Sequence, residues 1–129
     1  MSRIRILLKC LAIAVAIGAV SQVQPLFAAD PKEKTIEGEV VDLRCYTSQG
    51  AKGAGAEHQA CGASCAKRGF PVGLVNAKGE AFTLIVSSAS YADFVSKPVR
   101  ITGNVVGATL APTKLEVKDG ANWKVVEVK

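Results

Sequence analysis

A single histidine, His58, is all the imidazole available to this chain of 129 residues, and aromatic side chains make up only 5% of it. Its carboxylates are scattered rather than paired, so the usual equipment of an enzyme is thin: no nucleophile sits beside a base, and no two acids converge. No Gly-x-Ser-x-Gly turn presents a serine. No Cys-x2-Cys motif occurs, which speaks against a thioredoxin-like redox centre, and without Cys-x2-Cys-His there is no c-type haem attachment site. A nucleic-acid partner asks for a concentrated basic face with interleaved aromatics, which neither the small net charge left once the N-terminal leader is removed nor the expected export favours. These absences point away from catalysis and from a nucleic-acid partner.

The apolar run from Cys10 to Val20 (CLAIAVAIGAV) is too short to span a bilayer. Arg3, Arg5 and Lys9 precede it, small residues follow, and PLFAAD offers a cleavage position after Ala28 or Ala29, so residues 1–29 read as a secretory signal peptide. The expected product is periplasmic or secreted, with no membrane anchor after cleavage. Three of the 16 Lys and Arg leave with the leader, so 13 face 11 Asp and Glu and the net charge falls from +5 to +2. The remaining residues, 30–129, suffice for one small domain, a size at which a metal or a disulfide often supplements the core.

Short strands dominate the expected order. Thr35 to Leu43 (TIEGEVVDL) reads as the first strand, and the glycine-rich stretch from Arg44 to Glu57 as a flexible loop. His58 to Arg68 reads as a short helix, with Lys67 and Arg68 at its C-terminal end and Gly69 and Pro71 beyond. Residues 71–75 and 80–86 form a hairpin around Asn76-Ala77-Lys78-Gly79. Tyr91, Phe94 and Val95 mark a second short helix, Val99 to Gly107 a further strand, and Leu115 to Val117 with Trp123 to Val128 a hairpin around Asp119-Gly120. Strand, Cys-bearing helix, two strands, helix, strand and hairpin is the order of an OB-fold, so the expected class is a mainly β, small OB-like barrel of five to six strands carrying an insertion over 44–69.

GEVVDLRC running into CGASC, with a valine-and-glycine strand (VRITGNVVG) downstream, resembles small exported bacterial OB-fold-like proteins of uncharacterised role. The resemblance covers most of residues 35–107 and implies an exported module rather than an activity.

The chemistry concentrates in HQACGASC. On a helix, positions 58, 61 and 65 fall within roughly 60° of one another, so His58, Cys61 and Cys65 share a face. Cys45, from the end of the first strand, supplies a fourth donor, and a Cys3His set suits tetrahedral zinc or a thiophilic metal such as Cu(I). With Cys10 removed, three cysteines remain, an odd number that cannot all pair within one chain. Cys61 and Cys65 are poorly spaced for a disulfide on an intact helix, where Cβ atoms four residues apart lie about 5–6 Å from each other. The expected function is a non-enzymatic metal-binding module with one structural zinc. The alternatives are copper binding and delivery with the same ligands, whose Cys-x3-Cys pair and histidine resemble the ligand set of Sco-type copper chaperones, and a disulfide-stabilised domain with one free thiol, no metal and a protein or ligand partner at the Arg44 to Glu57 loop. Asp42 and Arg44 flank Cys45 as charges at a strand end and as candidates for outer hydrogen bonds to the ligands.

Overall fold

In Pro98–Val106 (β4) buried and outward positions alternate without a break: Val99, Ile101, Gly103 and Val105 are buried, and the residues between them are half-buried or exposed. That period of two places every second side chain in one core. The computed structural model describes residues 30–128, and the expected signal peptide lies outside them. Its other strands are β1 (Lys32–Asp42), β2 (Val72–Val75), β3 (Ala81–Leu84), β5 (Thr109–Asp119) and β6 (Asn122–Val126).

Pairing runs β3-β2-β1-β4-β5-β6, and a parallel contact of β3 with the start of β5, Thr83 with Thr109 and Leu84 with Leu110, closes the first five strands into a ring. The fold is therefore a small OB-like barrel, with β6 added along the second half of β5. Val40, Leu74, Ile101 and Leu110 are fully buried at its centre, and Tyr91 and Ala92 join them from a 3-10 helix, Ser88–Phe94. Each such aliphatic side chain contributes roughly 1.5–3 kcal/mol by leaving water.

Two stretches depart from the expected elements. β5 spans Thr109–Asp119 rather than residues 115–117, because Pro112 hides its first half. The proline is accommodated where the pairing with β4 slips by one residue next to Gly103, a bulge that spares the ladder a missing N–H. The second correction concerns residues 44–57, which are not a flexible loop. They hold α1 (Leu43–Gln49) and two 3-10 turns, Gly50–Gly53 and Ala56–His58, before α2 (Gln59–Lys67).

Local chemistry explains the order. Asp42 caps α1 by accepting from the Arg44 and Cys45 amides at 3.3 and 3.1 Å, and Gly50 takes a positive φ where the helix ends. Gly53 then lies so close to α1 that a Cβ there would stand 2.5 Å from the Cys45 carbonyl oxygen. The Gly55 amide donates to Glu39 Oε1 at 2.6 Å, tying the turn to β1. Leu43 N–H donates to the Pro71 carbonyl at 2.9 Å, and Asp42 pairs with Val72, so the insertion leaves and rejoins the barrel at adjacent strand ends. Covered by it, the end of β1 buries both faces: Val40 enters the core, and Val41 is buried on the opposite side.

Candidate metal centre

α1 and α2 bring their cysteines face to face. The sulfur atoms of Cys45, Cys61 and Cys65 all lie within 4.8 Å of one another, although Cys45 belongs to a different helix from the other two. All three are free thiols; Cys45 and Cys65 are buried and Cys61 is exposed. Metal–sulfur bonds near 2.3 Å set thiolate sulfurs about 3.8 Å apart around a tetrahedral ion, so closing on a metal asks for at most about 1 Å of contraction. Side-chain rotation covers that distance.

His58 joins this cluster through Cys45. It caps α2 at the end of the 3-10 turn, and its ring, the Cys45 sulfur and an Asp42 oxygen form a second group whose donor atoms fall within 4.8 Å. Cys45 is the residue common to the two groups. The Nε2 atom of His58 is buried and has no hydrogen-bond partner, and a buried polar atom without a partner costs about 1–3 kcal/mol. A metal ion is one way of using that lone pair. Gly62 packs beside the ring, where a Cβ would be in ordinary contact with His58 Cδ2 at 3.6 Å but would press to 2.7 Å from Val95 Cγ1.

Asp42 is fully buried, not a solvated charge at a strand end. Position explains this, because the cap that starts α1 has to lie where the insertion folds over the barrel. Its carboxylate accepts a hydrogen bond from the Cys45 thiol. That bond, with desolvation and the negative charge of Asp42 behind it, pushes the Cys45 pKa up to about 12 from an ordinary 9.0. Without metal, Cys45 is therefore a neutral thiol at neutral pH. Asp42 plays three parts here: helix cap, thiol acceptor and potential donor to a metal.

Arg44 stacks on an aromatic ring. Its guanidinium lies 4.6 Å from the centroid of Phe70, a cation–π contact beyond α2. The cation that does reach the cluster is Arg68, whose Nη2 donates to Cys65 Sγ at 3.6 Å. In the sequence Arg68 looks like an ordinary helix C-terminal cation, and only its place one turn after Cys65 hints at this contact. No helix among the described residues is long and apolar enough to cross a membrane.

The cluster fits a thiophilic or borderline cation: three sulfurs converge, one nitrogen waits nearby, and a carboxylate stands behind. No protein-family model matches the chain, and no curated protein or solved structure is significantly similar to it.

Proposed function

We propose that this chain is an exported, non-enzymatic metal-binding module in which Cys45, Cys61 and Cys65 hold one zinc ion and His58 completes the set. The observation that carries the reading is the convergence of the three sulfurs within 4.8 Å beside the unpartnered, buried His58 Nε2. Zinc favours four-coordinate thiolate and imidazole sites of this composition, and a closed set leaves no position for substrate, so the ion serves structure. It clips the insertion, whose glycines make it costly to order, onto the rim of the barrel. Asp42 holds the metal-free Cys45 thiol by a hydrogen bond that is lost when the thiol ionises to bind the ion, which frees a carboxylate oxygen beside the site.

A second reading is favoured by one observation, that the three sulfurs form a group without the histidine. Three thiolates alone suit Cu(I), and the exposed Cys61 would then be the ligand first offered to an acceptor. His58→Ala separates the readings: it weakens zinc binding by at least about tenfold and leaves Cu(I) binding intact.

The primary test is metal analysis of protein recovered from the periplasm, with thiols counted before and after denaturation. One zinc per chain and three thiols that react only after denaturation or chelation are expected. A metal-free protein that also fails to take up added zinc would sink the reading. The intact mass of the same preparation reads the export expectation, with the chain beginning at Ala29 or Asp30.

A further inference from the structure

The three thiols differ in two respects that a structural zinc does not use. Cys61 is exposed, whereas Cys45 and Cys65 lie buried behind it. They also differ in how easily they can pair. Cys61 and Cys65 are four residues apart on α2, which holds their Cβ atoms about 5–6 Å from each other, and a disulfide needs about 3.5–4.5 Å. Cys65 is further engaged by Arg68, which donates to its sulfur. Cys45 is free of that spacing, and its thiol is held instead by the Asp42 carboxylate. It stands on α1, a separate helix of seven residues, with its sulfur within 4.8 Å of that of Cys61.

We propose that the cluster is also a thiol–disulfide exchange centre with a fixed order, in which Cys61 attacks a small-molecule disulfide, Cys45 resolves the adduct, and closing this bridge releases the metal. The release step rests on the metal-binding reading above; the order of exchange does not. In the first step the Cys61 thiolate attacks one sulfur of the disulfide R–S–S–R. A Cys61–S–S–R bond forms, the S–S bond of the reagent breaks, and the departing thiolate takes up a proton. Cys45, passing its proton by way of the Asp42 carboxylate to solvent, then attacks the Cys61 sulfur and expels the second R–S⁻, which is protonated in turn. The two protein thiols lose two electrons and two protons, and the reagent gains both to become two thiols. Cys65 is left as a lone thiol. Two of the three sulfur donors are now in a bond, and a site with one thiolate and one imidazole is too poor to retain the ion.

The exposed position of Cys61 sets the first step, because exchange rates depend on access to the attacking thiol as well as on its thiolate fraction. The helix sets the second, by keeping the nearer cysteine in sequence at the wrong separation.

Oxidised glutathione is the probe, applied to the full mature chain with and without zinc and followed by peptide mass mapping and a chromophoric zinc indicator. The wild type should end with a Cys45–Cys61 bridge and one alkylatable thiol at Cys65, with zinc appearing in step with the bridge. Cys45→Ser should stall at a glutathione adduct on Cys61, and Cys61→Ser should slow adduct formation at least about tenfold. A wild-type bridge to Cys65, or adduct formation in Cys61→Ser at the wild-type rate, overturns the order, and the wild-type map decides by itself if a variant fails to fold. Zinc that stays bound after the bridge has closed overturns the release step and leaves the metal-binding reading standing. A chain that never takes up zinc loses that reading together with the release step, while the exchange order is still decided on the metal-free protein.

Discussion

Cys45 and Asp42 form the most sensitive pair of residues in the molecule. The fold holds Cys45 as a neutral thiol with a pKa of about 12, against 9.0 for an ordinary cysteine, chiefly through its hydrogen bond to Asp42. Below pH 9 the thiol is neutral in both folded and unfolded chains, so the contact contributes fully to stability. Between pH 9 and about 12 the unfolded chain gives up the proton first, and that contribution is lost. The metal-free protein is therefore expected to lose stability as pH rises through this window, with its urea midpoint falling, and Cys45→Ser should flatten the slope. Asp42→Asn keeps an acceptor for the helix cap but removes the charge, so ultraviolet titration of the thiolate should find the Cys45 pKa moved down toward 9.0. On the reading proposed above, zinc displaces the same proton, so its apparent affinity should climb with pH.

Among the elements, α2 depends most on a residue with no side chain. Gly62 faces Val95, which is 1% exposed, and a Cβ there would stand 2.7 Å from Val95 Cγ1. Alanine normally favours a helix over glycine by about 0.5–1 kcal/mol, but overpacking a core contact costs about 1–3 kcal/mol. Gly62→Ala should therefore destabilise the protein by about 1 kcal/mol, read as a lower urea midpoint at unchanged slope. α2 was legible because its alanines, terminal cations and Gly69 are local signals. α1 was not. Its glycine-rich surroundings resemble a loop, and its stability comes from a cap whose carboxylate is buried by residues distant in sequence. The first half of β5 was hidden for a similar reason, since Pro112 argues against a strand unless a bulge, here at Thr113 beside it, takes up the irregularity.

At the scale of the whole molecule, a closed barrel carries an insertion that contributes Ala66 to the core and otherwise rests on the barrel rim. The two parts should respond differently to loss of metal. At zinc concentrations 100-fold above Kd, binding stabilises the folded state by about 2.7 kcal/mol, and the loss should fall first on the elements that supply ligands. Chelation, or Cys61→Ala in the zinc-bound protein, should therefore abolish hydrogen-exchange protection across residues 43–67 while β4 and β5 retain theirs. Equal loss everywhere would contradict a clip and favour a metal that holds the barrel itself.

Spacing along the chain was enough to single out the candidate donors, the helix that carries Cys61 and Cys65, and the order of the strands, whereas His58 sits in the 3-10 turn before that helix and meets Cys45 and Asp42 rather than the other two sulfurs. Tertiary structure decided which sulfur meets them. Cys45 arrives because Asp42 pairs with Val72 and Leu43 bonds to Pro71, bringing the two ends of the insertion together at one place on the barrel. It also decided the fate of Asp42, whose burial turned a charge beside a cysteine into its hydrogen-bond acceptor, and of Arg44, which stacks on Phe70. Burial and long-range register arise only when segments far apart in the chain close on one another, and no local pattern records them.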